Sequence, residues 1–443
     1  MKHFTEQYFD QTVEGLKTLL KIDTVKAPAA NGAPFGKGNA ECLQTALAMG
    51  KAMGFDTSNC DNYAGHIDFG QGEEILAVLG HLDVVPADGE WTLPPFAAQV
   101  KDGYLFGRGT LDDKGPTVAC LFALKALKES GFKPKKKIRL ILGCDEESGW
   151  ECMDYYFTKN PLPEIGFSPD GNFPVINREK GMLHAALNLG KVNADILSFT
   201  SGNRVNVVPD GAKAEIKKVS FDSAAVEKCG VKIAEKDNVV TLSSEGVACH
   251  GSKPQDGDNA AWKIFKALQI IYPSDKVISF VSDKICKDFN GKIWGFPLED
   301  APSGKITHNL GKVRLEGGGL VVTIDLRYPV TFTEEQVIAA VKENSPSYAV
   351  FTECGSHKPL YVREDSELVQ TLLKVFTEVT GQEAYTLAVG GATYARCLPN
   401  GVAFGPSFPG DEKNVHCVDE KISLESLKKM LEIYYEAIKA LAQ

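Results

Sequence analysis

Ile75-Leu76-Ala77-Val78-Leu79-Gly80-His81-Leu82-Asp83 carries an apolar run straight into a histidine and a carboxylate. A second run, Ile138-Arg139-Leu140-Ile141-Leu142, leads to Asp145-Glu146-Glu147. Short apolar runs followed by glycine read as buried strands. In an open α/β sheet, ligands gather in the crevice beyond the carboxyl ends of the strands. Here that crevice would collect a histidine and several carboxylates. Such a set is too costly to desolvate unless a cation neutralises it. The pattern points to a metal-dependent hydrolase.

The flanking sequence extends this α/β reading. A third strand ends at Ser168-Pro169-Asp170-Gly171, and strands are expected near 63–69, 74–80 and 138–143. Amphipathic helices are expected over 5–21 and 38–53, and a helix near 150–158. Another spans 115–130, with Val118, Leu121, Phe122, Leu124 and Leu127 on its apolar side and Gly131 as its stop. Strands alternating with helices predict a mostly parallel sheet. The character changes after Gly181. From 182 to 358 the strands alternate polar and apolar residues, as in Leu320-Val-Val-Thr-Ile-Asp-Leu-Arg327, with helices near 259–271 and 333–343. Alternation implies a sheet with one wet face, so this stretch reads as an inserted α+β domain. The α/β pattern resumes at 359 with a helix over 366–380 and a Gly-rich stretch over 390–410. A last helix, 424–441, is capped by Ser423 and aligns Leu427, Leu431, Tyr434, Ile438 and Leu441.

Composition narrows the function classes. The 443 residues carry a formal net charge of −10, with no basic stripe interleaved with aromatics, so nucleic acid is not an expected partner. The basic run Lys133-Pro134-Lys135-Lys136-Lys137 reads as a solvated turn. No run of about 18 apolar residues occurs, and the N-terminus lacks the apolar stretch of a signal peptide. No membrane association is expected. The 11 cysteines are scattered without a Cys-x-x-Cys pair, which fits a reducing cytoplasm.

Five positions carry the metal reading: His81, Asp112, Glu147, Asp170 and His416. His81, Glu147 and Asp170 follow strand ends. Asp112 opens the 115–130 helix, and His416 precedes the last one. One acidic pair alone is weak, because Asp and Glu are mostly surface residues; ligand-type groups at three strand exits are the stronger signal. Two imidazoles and three carboxylates suit zinc, with manganese and cobalt also suited. Five ligands exceed what one catalytic zinc needs and fit two metals sharing a carboxylate. A base that is not a ligand is then required, and Glu146 is the natural choice. Asp83 could bond the far nitrogen of His81 and fix its tautomer.

Taken in order, Gly80-His-Leu-Asp-Val-Val-Pro86, Gly107-Arg-Gly-Thr-Leu-Asp-Asp-Lys-Gly115, Asp145-Glu-Glu147, Ser168-Pro-Asp-Gly171 and Asp325-Leu-Arg-Tyr-Pro329 cover nearly the whole chain. The set resembles the co-catalytic di-zinc family of aminoacylases, glutamate carboxypeptidases, succinyl-diaminopimelate desuccinylases and dipeptidases. Gly36-Lys-Gly-Asn39, Lys180-Gly181 and Gly390-Gly-Ala-Thr-Tyr-Ala-Arg396 resemble its PepV-type, carnosinase-like dipeptidase branch. The resemblance implies a di-metal peptidase domain (1–181 and 359–443) and a large lid domain (182–358). It makes Asp112, not Asp113, the bridging ligand, with a cis peptide after it. It places His81 and Asp170 on one metal, Glu147 and His416 on the other. In the lid it implies substrate contacts from Asn206, His250 and Arg327, with His250 donating to the oxyanion. Arg327 would fork onto the substrate carboxylate, with backbone N–H groups of the Gly390–Gly391 loop beside it. The implied enzyme is a monomer in which His250 serves its own site, and its substrate is an unblocked dipeptide. An N-acyl-amino-acid deacylase or carboxypeptidase of the same family is the alternative. A non-catalytic metal-binding scaffold is the alternative of another class. His3, His66, His184, His308 and His357 receive no functional role.

Overall fold

Where Ile75–His81 pairs in register with Lys137–Gly143, His81 stands beside Gly143. The amide of Leu82 then donates to the Gly143 carbonyl at 2.9 Å, so both chains leave the sheet side by side. This juncture belongs to a computed structural model that describes residues 2–412 and 414–443, the side chains of 2–5 excepted. The His3 side chain therefore lies outside the described residues.

The chain divides into two units. The first comprises Met1–Asn177, Leu360–Leu387 and Thr393–Gln443; the second comprises Arg178–Pro359 and Ala388–Ala392. The short stretch 388–392, which the sequence places with the catalytic domain, groups instead with the inserted unit.

In the sheet that carries His81, the strand order is Asp56–Cys60, Ala64–Phe69, Lys137–Gly143, Ile75–His81, Ile165–Ser168, Asn400–Ala403, Val175–Glu179 and Leu360–Tyr361. The four strands from Lys137–Gly143 to Asn400–Ala403 are parallel. Their flanks, at Ala64–Phe69 and Val175–Glu179, pair antiparallel. The sheet is thus mixed, and its parallel part is the central block that delivers His81, Glu147 and Asp170 to one end. Ile75–His81 is buried on both faces, as its unbroken apolar run requires. Helix Lys114–Glu129 covers it and packs against Lys2–Leu20 and Leu424–Leu441. The last helix buries Leu427, Leu431, Tyr434, Ile438 and Leu441, and Ser423 caps it by accepting from the Ser426 amide.

Asn400–Ala403 is the one central strand that the sequence pattern does not reveal. Four residues that begin with Asn-Gly carry no periodicity. Gly401 is required for packing rather than for its dihedrals. A Cβ there would lie 2.1 Å from the carbonyl oxygen of Ala395.

The second unit is built on an eight-stranded antiparallel sheet. Gly181–Lys191 and the first part of Gly319–Tyr328 show the expected alternation, with Leu183, Ala185, Leu187 and Leu189 inward, whereas Thr307–Glu316 buries His308, Asn309, Leu310 and Gly311 in succession. Helices Ala260–Ile271 and Glu334–Glu343 contribute to the same core. Gly319–Tyr328 departs from alternation at its end, where Asp325, Leu326, Arg327 and Tyr328 are all buried. All eleven cysteines are free. No helix among the described residues is long and apolar enough to cross a membrane.

His66 offers a stability test away from the site. It is buried, and its Nδ1 lies 2.8 Å from the Tyr156 hydroxyl. Burial, helped by the Arg139 guanidinium, pushes its pKa down to about 4. The folded state therefore keeps His66 neutral, while the unfolded chain protonates it near the ordinary histidine value of roughly 6.5. Between these limits the unfolded state binds more protons, so stability falls as pH falls, by at most about 3 kcal/mol. Urea unfolding of His66→Gln should show a smaller loss between pH 7 and pH 4.5 than the parent. Equal losses would remove His66 as the cause.

Candidate metal centre

The sheet and its loops bring His81, Asp112, Glu146, Glu147, Asp170 and His416 into one cluster. Ligand-type atoms of His81, Asp112 and Glu147 lie within 4.8 Å of one another, as do those of His81, Glu146 and Asp170. Asp112 is central. Its Oδ1 is 2.8 Å from His81 Nε2, and its Oδ2 is 2.8 Å from His416 Nε2. His416 Nε2 is also 3.1 Å from Glu147 Oε1, and His81 Nε2 is 3.8 Å from Asp170 Oδ2. The peptide between Asp112 and Asp113 is cis. Asp113 turns away from the cluster: its Oδ2 accepts from the His81 amide at 3.1 Å and from the Thr117 hydroxyl at 2.9 Å.

Asp83 meets the far nitrogen of His81 with two oxygens. Its main-chain carbonyl, at 3.0 Å, is the nearer partner of His81 Nδ1, while its carboxylate oxygen stands at 3.5 Å. The carboxylate also accepts from the amides of Glu146 and Glu147, each at 3.0 Å. Asp83 therefore fixes the tautomer of one candidate ligand and the backbone of two neighbouring acids. His-x-Asp spacing alone does not distinguish carbonyl from carboxylate.

The electrostatics are those of a site short of positive charge. Burial, reinforced by the Asp170 carboxylate, holds Glu146 well above the usual glutamate range. Burial and Asp112 do the same to Asp170 and, less strongly, to Glu147. Burial would lower the histidines, but hydrogen bonds to Asp112 and Asp83 raise His81 well above its ordinary value. Bonds to Asp112 and Glu147 likewise overcome burial at His416 and push it up to about 11. Burial opposes ionisation of Asp112, yet both imidazoles hold its carboxyl far below the usual range. Two imidazoles set among buried carboxylates form a donor set that fits divalent cations.

The residues expected to touch substrate lie in the second unit, on and around one face of its sheet. Arg327 Nη1 donates to the Gly390 carbonyl at 2.9 Å. Its Nε and Nη2 fork onto Asp325 at 2.8 and 3.1 Å. His184 Nε2 stands 3.3 Å from Asp325. Asn309, opposite Asp325 in the sheet, donates to the carbonyls of Val205 and Val207 and so holds both sides of Asn206. The Asn206 carbonyl accepts from the Gly251 amide at 2.7 Å. A Cβ on Gly251 would come within 2.6 Å of Asp325 Oδ2. His250, exposed, bonds Ser252 through Nδ1 at 2.7 Å. Gly390 and Gly391 follow Val389 in the same unit. His308 contacts the Asp288 carbonyl at 2.6 Å, a structural contact as expected.

Sequence reasoning missed four buried polar residues around these groups: Arg108, Asn309, Asp325 as a partner of Arg327, and Glu420. A single sequence holds no signal for them, because a buried acid reads like a surface acid until its partners are known.

This fold and this donor chemistry define a metal-dependent peptidase. The sequence pattern of peptidase family M20/M25/M40 matches residues 77–440, and the chain belongs to that family. The Bacillus subtilis protein named "Putative dipeptidase YtjP" is 37% identical over 454 residues, covering 98% of this chain and 98% of its own length. Human carnosine dipeptidase 1 shares the fold with a TM-score of 0.60 at 13% identity, over 100% of this chain and 99% of that one. The dipeptidase Dug1p of Saccharomyces cerevisiae gives 0.61 at 13% identity, over 100% and 98%.

His81, Asp112, Glu147, Asp170 and His416 must be deprotonated to bind a cation. Zinc added to metal-free protein at pH 7 should therefore release protons, and apparent affinity should rise with pH. Calorimetry in two buffers of different ionisation heat measures the number released. A titration without proton release would count against these donors.

Proposed function

We propose that this protein is a cytoplasmic, monomeric dipeptidase that cleaves unblocked dipeptides at a two-cation centre. The observation that carries the proposal is the divergence of the two Asp112 oxygens toward two different histidines, with a spare carboxylate, Glu146, in the same cluster. That arrangement supports two cations, one that His81 and Asp170 would hold and one that Glu147 and His416 would hold, with Asp112 as the ligand that would serve both. Zinc is the preferred ion, with manganese and cobalt as the alternatives. When bound, such cations supply electrophilic polarisation of the scissile carbonyl and acidify water.

The chain's own residues perform the proton traffic. The Glu146 carboxylate takes a proton from the attacking water and returns it to the leaving amine. Asp83 holds Glu146 in place through its amide. His250 donates to the oxyanion of the tetrahedral intermediate, and Asn206 contacts the substrate beside it. Arg327, preset by Asp325, takes the terminal carboxylate together with backbone N–H groups at Gly390 and Gly391. The free cysteines fit a reducing compartment.

A panel of free dipeptides and their N-acetylated forms, assayed with zinc, manganese and cobalt, tests the substrate class. Preference for the acetylated forms would favour the deacylase reading. Inertness toward every substrate with metal loaded would favour the scaffold reading. Glu146→Gln should keep its metal content and lose at least the roughly 10²–10⁴-fold typical of a missing acid–base group. His416→Ala should lose metal as well as rate. Near-parental turnover in Glu146→Gln would remove Glu146 as the base.

Mixing His250→Ala with Glu146→Gln protein tests whether His250 serves its own chain. No rescue, together with an active monomer in sedimentation, is expected. Restored activity on mixing would mean that sites are shared between subunits.

A further inference from the structure

We propose that Glu420 is a positioning residue that locks the loop bearing Asp112 to the loop bearing His416, so that the two candidate ligands are set as one piece. The inference rests on the ligand assignment above and goes beyond it to residues outside the cluster. Glu420 is fully buried and lies four positions after His416. Its Oε1 accepts from the amides of Gly109 at 3.1 Å, Leu111 at 2.9 Å and Asp112 at 3.3 Å. The Thr110 hydroxyl stands 3.5 Å from the same oxygen. Its Oε2 accepts from Arg108 Nη1 at 2.7 Å, and its main-chain carbonyl accepts from the Gly107 amide at 3.0 Å. Every residue from Gly107 to Asp112 thus bonds to Glu420.

The geometry is that of an anion seated in a nest of backbone N–H groups, with the anion supplied by the protein itself. The loop that wraps it has no regular secondary structure between the strand Tyr104–Phe106 and the helix Lys114–Glu129. Asp112 is consequently held from two directions by one neighbouring loop: its amide by Glu420, its carboxylate by His416. Asp419 extends the clasp by accepting from the amide and hydroxyl of Thr92 at 2.8 and 2.7 Å. Arg108 is also buried, lies over the Trp91 ring and donates to the Pro86 carbonyl. A carboxylate is suited to this place because Oε1 must accept several N–H groups while Oε2 pairs with a guanidinium. An amide in its place retains one acceptor oxygen but presents N–H groups to Arg108.

The test compares zinc affinity of metal-free parent, Glu420→Gln and Glu420→Ala by competition with a chromogenic chelator. Amide hydrogen exchange is followed over 107–113, and kcat and KM are measured at saturating zinc. Both variants should bind zinc roughly 10–100-fold more weakly, the range for outer partners of metal ligands. They should exchange faster at 109, 111 and 112, and recover kcat at saturating zinc with KM unchanged. A merely structural role would lower the unfolding midpoint and leave the zinc affinity of the folded protein unchanged; that result would overturn the inference. If neither variant folds, exchange in the parent decides: unprotected amides at 109, 111 and 112 in metal-free protein would overturn it. A parent that binds no zinc would overturn the ligand assignment itself, and this inference with it.

Discussion

The carboxylate of Asp112, shared between the imidazoles of His81 and His416, is the contact on which the first unit's chemistry depends. His81 is delivered by the end of a central strand, and His416 by a loop more than three hundred residues later. Their meeting on one side chain fixes where the sheet, the helix Lys114–Glu129 and the C-terminal segment stand with respect to one another. The same side chain concentrates negative charge among Glu146, Glu147 and Asp170, and so creates the demand for cations. Asp113, one residue on, takes the opposite role. It anchors the helix start to the His81 amide, and burial pushes its pKa up to about 8.

The sequence is most legible where burial imposes a pattern. Ile75–His81 and Lys137–Gly143 are covered on both faces, so their apolar runs are unbroken and their ends are sharp. That is why His81, Glu146, Glu147 and Asp170 stand out as strand exits. Helices such as Leu424–Leu441 are equally plain, because one face is buried and the spacing repeats. Legibility fails where a contact is set by tertiary placement alone. Asn400–Ala403 is too short to show a period. Asp112 and Asp113 are identical in type and adjacent, so only family resemblance separates them before the cis peptide and their different partners are seen. Asp83 was legible as important, but not which of its oxygens does what. Glu420 and Arg108 are buried polar residues whose sole signature is each other.

In the second unit, organisation comes from a sheet face rather than from strand ends. Asn309 and Asp325 sit opposite each other on adjacent strands. One secures the turn around Asn206, and the other secures Arg327, which in turn bonds Gly390. Of the expected substrate contacts, Arg327 lies on a strand, and the loop residue Asn206 is tied to a strand through its neighbours' bonds to Asn309. A buried Asp–Arg pair is weak evidence for stability in general, because desolvation offsets the attraction. Its value here is orientation: the guanidinium is planar, and fixing two of its nitrogens fixes the third.

The position of Asn400–Ala403 bears on how the protein is made. This strand fills the slot between Ile165–Ser168 and the strand that begins at Val175, both of which leave the ribosome well over two hundred residues earlier. Throughout synthesis of the intervening unit, the nascent sheet has an open seam with unpaired main-chain groups along it. Open strand edges invite pairing with other chains. A chain released early therefore lacks more than His416 and the last helix: it exposes the interior of its own sheet. Closure of that seam therefore waits on the emergence of residues 400–403.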